Sequence, residues 1–140
     1  MNTSWAETMR QVEERAGGRC EYCRMHQALQ GATFHVEHVR PRAEGGSDDL
    51  DNLAWACPGC NLTKSDRQAI LDPDTGAPVP LFHPRVHIWS EHFSWSGYIL
   101  VGLTTVGRTL IAAFDLNSER RQLIRRAEEQ FGLFPPPNGK

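Results

Sequence analysis

The chain has 140 residues, 39% of them hydrophobic and 23% charged, with a formal net charge of −2. That length suits one domain with one modest core, and no apolar run of about eighteen residues exists to span a membrane. The near-neutral balance excludes a chain that holds nucleic acid by bulk charge alone. Glu7, Glu13 and Glu14 stand in a polar N-terminal segment that does not read as a secretory signal. The expected compartment is therefore the reducing cytoplasm, where paired cysteines are metal ligands before they are disulfides.

A helix is predicted over residues 4–16. Ser4 caps it, Glu7 three residues on completes a capping box, and Trp5, Met9, Val12 and Ala16 recur near helical spacing. Gly17-Gly18 stops it, and a first Cys-x-x-Cys follows. Residues 33–40 alternate and are partly β-branched, which predicts a strand. Gly45-Gly46 marks a turn, and Leu50, Leu53, Trp55 and Ala56 anchor a short return strand. A second Cys-x-x-Cys leads into a helix predicted from about 61 to 71, closed by Asp72-Pro73-Asp74-Thr75-Gly76. The order is β-β-α, with a cysteine knuckle at each end of the hairpin.

Residues 77–87 read as a Pro-rich loop, and 87–95 and 98–104 as two strands around Ser96-Gly97. Thr105 is placed to cap a helix to about Phe114. A last helix over about 118–131 carries Leu123, Ile124, Ala127 and Phe131 on one face, with Gly132 as its stop. The fold class is α+β. Residues 1–76 form a zinc-stapled ββα core, 77–134 an extension packed on the same domain, and 135–140 a flexible tail.

Cys20, Cys23, Cys57 and Cys60 are all the cysteines in the chain. Two Cys-x-x-Cys pairs suit a tetrahedral Cys₄ zinc site, with thiolates at about 2.3 Å. Such a site is closed, so its Zn²⁺ is structural, and it adds folding energy to a small core. The spacing between the pairs is that of a hairpin with its loop, so the ion staples the hairpin's two ends. A redox-active Cys-x-x-Cys, or unlinked buried thiols, is the competing reading.

Phosphodiester hydrolysis needs a water activator and a stabiliser for developing negative charge. His38 suits the first role, since imidazole is neutral near pH 7. Glu37 suits a hard-metal ligand, and the amide oxygen of Asn61 completes a two-residue cradle for Mg²⁺, which keeps several waters. Strict alternation puts Glu37 and His38 on opposite strand faces. Both serve one phosphate only where the strand ends, twists or bulges.

Three units, Glu37-His38, Asn52-Leu53 and Cys57-Pro58-Gly59-Cys60-Asn61-Leu62-Thr63-Lys64, stand with Pro41, Gly45-Gly46 and Asp49 in the pattern of a known family. Over roughly residues 15–70 the chain resembles the HNH endonucleases, a branch of the ββα-metal nucleases. The resemblance implies that His38 is the general base and that Glu37 and Asn61 hold a catalytic divalent ion. It implies that Asn52 ties the loop backbone together and orients the base, and that Lys64 meets substrate phosphate. Arg40, Arg42 and His35 are further expected nucleic-acid contacts. Asn61 stands where the founding pattern has His, an H-N-N variant, and a neutral amide shifts the expected ion toward Mg²⁺ or Mn²⁺.

The implied activity is metal-dependent hydrolysis of DNA, leaving a 5′-phosphate and a 3′-hydroxyl. DNA is the partner, and a homodimer is the arrangement that would cut both strands. The competing reading is a non-catalytic, zinc-stabilised nucleic-acid-binding module. Elsewhere, Asp48, Asp49 and Asp51 are assigned turn and capping roles, and Trp89, Phe93 and Trp95 core positions. His83, His87 and His92 read as structural. Arg85 and Arg108 are candidate phosphate contacts, and Arg120, Arg121, Arg125 and Arg126 form either a basic helix face or ordinary surface pairs.

Overall fold

The computed structural model describes residues 4–137, so part of the tail expected over 135–140 lies outside the described residues. Helix α1 (Trp5–Ala16) opens where Ser4 Oγ accepts the Glu7 N–H at 3.1 Å. It ends at Gly17, whose φ of 64° suits glycine and returns an N–H to the last turn. The Glu7 carboxylate takes Arg10 and Gln11 along the helix. Val12 is the fully buried residue of the predicted stripe, whereas Trp5 stays 42% exposed.

Strands β1 (His35–His38) and β2 (Leu53–Ala56) form an antiparallel hairpin, with His38 opposite Leu53 and Val36 opposite Trp55. Both are shorter than the sequence suggests, and Leu50 lies in a 3₁₀ turn, Leu50–Asn52, instead of the return strand. Helix α2 (Pro58–Lys64) packs against β1. The Cys57 Sγ accepts from the Cys60 N–H at 3.4 Å, and Pro58 sits in the first turn, where it has no N–H to lose.

The helix expected over 61–71 therefore starts earlier and stops at Lys64, with Ser65 at φ 49°. Residues Ala69–Leu71 are strand β3, paired with β4 (Pro78–Pro80). Their burial alternates, Ile70 and Val79 inward and their neighbours outward. The Asp72–Gly76 segment is the turn of this hairpin: Ala77 O accepts from Asp72 N and Asp72 O from Gly76 N, each at 2.8 Å. The prolines of β4 are tolerated because the sheet has only two strands.

The strand expected over 87–95 divides into α3 (Trp89–His92) and β5 (Phe93–Ser96), which pairs with β6 (Ile99–Gly102) around Gly97. Helix α4 (Thr105–Phe114) is capped by Thr104, not Thr105, through the Gly107 N–H at 3.1 Å. A Cβ on Gly107 would lie 2.2 Å from His92 O, so glycine lets α4 approach α3.

Helix α5 (Glu119–Gln130) is capped by Ser118 and buries a face other than the expected one. Leu123 and Phe131 are 55% and 70% exposed, whereas Arg125 and Glu128 are buried. The cause is unpaired backbone. Arg125 donates to Tyr98 O at 2.8 Å and Leu116 O at 2.5 Å, and it stacks over the Trp95 ring. Of the four stripe residues, Ile124 packs on the core.

The class is α+β, as the sequence predicts. One hydrophobic cluster runs from Val12, Phe34 and Trp55 to Phe82, Leu110 and Phe114. Among the described residues no helix is long and apolar enough to cross a membrane.

Candidate active site and metal centre

The four cysteine sulfurs lie within 4.8 Å of one another, and all four residues are buried. The Cys23 and Cys57 sulfurs are 3.8 Å apart, far beyond a disulfide bond. A tetrahedron with ~2.3 Å bonds has edges of about 3.8 Å. The cluster is thus positioned to form a zinc site, one knuckle in the turn after α1 and the other at the start of α2.

Helix α5 closes the cluster from outside. Arg121 Nη2 is 3.6 Å from Cys60 Sγ and Nη1 3.2 Å from Met25 Sδ. Burial pulls the Arg121 pKa down, but the sulfurs of Cys23, Cys60 and Cys57 more than restore it. A Cβ on Gly59 would sit 3.2 Å from the same guanidinium.

The hairpin loop is held by Asn52. Its Oδ1 accepts from Arg40 N at 2.9 Å, and its Nδ2 donates to Arg40 O and Ser47 O at 3.0 and 2.8 Å. Gly46 makes this closure sterically feasible, because a Cβ there would lie 1.7 Å from Arg40 O. Asn52 and Gly46 thus bring the two ends of the loop together above β1.

The alternation problem is settled by where β1 ends. The strand stops at His38, and the chain turns through Pro41 into the 3₁₀ turn Arg42–Glu44. Glu37, His38 and Asn61 then line one cleft of about 280 Å³, together with Pro41, Arg42 and Asp66. Glu37 is 4% exposed. It accepts from Tyr22 Oη at 2.6 Å and pairs with Lys64 Nζ at 2.6 Å. Burial, then the Glu37 charge, pushes the Tyr22 hydroxyl pKa well up, so it stays a proton donor.

Tyr22 lies between Cys20 and Cys23, so its hydrogen bond ties the first knuckle to Glu37 on the cleft wall. His38 Nε2 is 2.7 Å from Asp48 Oδ1. The hydrogen bond from His38, and then Arg42, hold the Asp48 pKa below its usual value. The Trp5 indole stacks on the His38 ring, with centroids 6.1 Å apart and planes at 7°.

Of the remaining sequence candidates, Lys64 has no exposed side chain and is spent on Glu37, not on the surface where a phosphate would lie. Arg40 is exposed and turns back to Glu44 O, Arg42 pairs with Asp48 and lies over Trp5, and His35 is exposed. Arg85 pairs with Glu21 behind the first knuckle, and Glu21 Oε2 accepts from Trp55 N. His83, His87 and His92 cluster about Phe82, with His83 N–H bonded to His87 Nδ1.

Sequence reasoning missed Tyr22, Asp48, Asp66 and Trp5. No local pattern marks them: Asp66 lines the cleft just past α2, and Tyr22, Trp5 and Asp48 meet Glu37 or His38 through a turn or from another element.

A search of curated proteins and of solved structures found no match for the chain. Residues 20–67 match the model of the family described as HNH endonuclease. The match begins at the first knuckle cysteine and ends just past α2, spanning both knuckles and the β1–β2 hairpin. It is this segment, about a third of the chain, that is similar to the HNH endonuclease family.

Proposed function

We propose that this protein is a metal-dependent endonuclease that hydrolyses DNA phosphodiester bonds. The observation that carries the reading is the convergence of Glu37, His38 and Asn61 on one cleft despite their separation on β1 and α2. In this reading His38 takes the proton from the attacking water. Glu37 and Asn61 would hold the divalent ion, and Asp66 adds a third oxygen donor on the cleft wall. Hard oxygen donors suit Mg²⁺ or Mn²⁺. Such an ion, when bound, supplies positive charge to the phosphorane-like transition state and the leaving oxygen.

Asn52 positions the loop that carries the chain away from His38. Arg42 lines the cleft, Arg40 is exposed two residues past β1, and His35 is exposed at the start of β1, so all three are open to a phosphate backbone. The cysteines take a structural Zn²⁺ as thiolates, and their standing outside disulfides is in keeping with a reducing, cytoplasmic setting. Residues 1–76 carry the chemistry, 77–134 form the extension, and a homodimer would cut both strands.

The test is supercoiled-plasmid cleavage by the zinc-loaded protein with Mg²⁺, Mn²⁺ or EDTA, beside His38→Ala. Metal-dependent nicking that drops by roughly 10²–10⁴-fold in the variant is expected. Equal cleavage by both proteins would refute the assignment of the base.

A second reading, a DNA-binding module without catalysis, draws on one observation: Glu37 is buried and already neutralised by Lys64. DNA binding without cleavage in any divalent ion would select it.

A further inference from the structure

We propose that Asp48 is the positioning residue of His38, fixing which ring nitrogen carries the proton and which is left to act as base. The inference rests on the reading of His38 as general base and goes beyond the residues of the family pattern, which does not include Asp48.

The argument starts from the hydrogen bond. Asp48 Oδ1 lies 2.7 Å from His38 Nε2. An ionised carboxylate only accepts, so the proton of a neutral imidazole sits on Nε2 and the lone pair on Nδ1. The same Oδ1 accepts from Arg42 Nε and Nη2 at 3.1 and 3.0 Å. The guanidinium keeps Asp48 ionised and offsets its charge where a phosphate backbone would approach.

The ring's remaining freedom is rotation, and Trp5 limits it by stacking nearly parallel on one face. Arg42 in turn lies 5.6 Å from the Trp5 ring, so Trp5, His38, Asp48 and Arg42 form one connected set.

The loop gives this set its geometry. Asn52 Nδ2 holds Ser47 O at 2.8 Å, one residue before Asp48, while its Oδ1 holds Arg40 N, two residues after His38. Asn52 therefore fixes both backbones from which the Asp48–His38 pair projects. Its expected part in orienting the base acquires an atomic route through Asp48, which no spacing rule in the motif identifies.

The test reads the tautomer directly, apart from activity. Long-range proton–nitrogen correlation NMR on the zinc-loaded full chain, above neutral pH, assigns the His38 ring by its absence in His38→Ala. The wild type should show a single Nε2–H tautomer. Asp48→Ala should show a mixture, and Asp48→Asn, whose amide oxygen still accepts, should keep the Nε2–H form. Asp48 is exposed, so zinc content and circular dichroism should match wild type in both variants.

In plasmid cleavage, Asp48→Ala should lose on the order of 10-fold in kcat with little change in KM, short of the loss of the base itself. Asp48→Asn should recover most of it. An unchanged tautomer and unchanged kcat in folded Asp48→Ala would overturn the proposal. If the wild type cleaves nothing while the tautomer responds as described, the positioning stands and the nuclease reading fails.

Discussion

Lys64 and Glu37 are a buried ion pair at the wall of the cleft, 0% and 4% exposed. Removing one partner of such a pair leaves an uncompensated charge, at a cost of roughly 3–5 kcal/mol, whereas replacing both with apolar groups is often neutral. Lys64→Met should therefore lower stability toward urea by about that amount. The double variant Glu37→Met, Lys64→Met should recover most of it. Equal losses in the single and double variants would show that the pair is not the source.

Lys64 is legible in sequence only as part of the motif. Its place beside Glu37 depends on α2 packing across β1, which no spacing within either element specifies.

Helix α5 shows how a polar face can be the buried one. Its apolar residues suggested one side, but the backbone it covers selected another. Arg125 satisfies Tyr98 O and Leu116 O, and Glu128 accepts from His26 N at 2.7 Å. Burial raises the Glu128 pKa above its ordinary 4.5, against the smaller downward pulls of the His26 N–H and Arg19. A carboxyl whose folded pKa is raised favours the fold at low pH. That contribution is lost as pH rises from the ordinary value through the raised one, so the ionised form burdens the fold at neutral pH.

Glu128→Gln keeps an oxygen for His26 and removes the charge. It should melt higher than wild type at pH 7, with the advantage shrinking as pH falls toward 4.5. A melting-temperature difference that does not change with pH would contradict this. Composition could not reveal this face, because hydrophobic periodicity is blind to hydrogen bonds made between distant elements.

For the whole molecule the decisive link is the cysteine cluster, which joins the turn after α1 to the start of α2 and is covered by Arg121 from α5. Zinc held by four thiolates contributes about 10–16 kcal/mol in small peptides, comparable with the ~5–15 kcal/mol of a whole domain. Stripping the metal with a strong chelator should therefore abolish cooperative unfolding and the near-ultraviolet signal of Trp55 and Trp89, and added Zn²⁺ should restore both. A chelated protein that still unfolds cooperatively at the same temperature would refute a structural zinc.

The core extends past residue 76. Trp89 Nε1 donates to Tyr22 O, and Phe82 and Phe114 share one cluster with Phe34. The extension thus contributes directly to the packing around the first knuckle.

By itself the sequence determined the cysteine frame and the β-β-α order and named Glu37, His38, Asn52 and Asn61 as candidates, because each is a short local pattern whose chemistry survives without coordinates. It also placed the cap at Ser4, where a hydroxyl and the N–H three residues on are neighbours in any helix start. Only the tertiary structure decided that β1 ends soon enough for Glu37 and His38 to share a cleft. It alone decided that 69–71 pair with 78–80 instead of prolonging α2, that α5 buries Arg125, and that Asp48 grips the His38 ring. Each of these depends on groups that meet across the fold, where contact satisfies a backbone group or a charge that the local pattern leaves open.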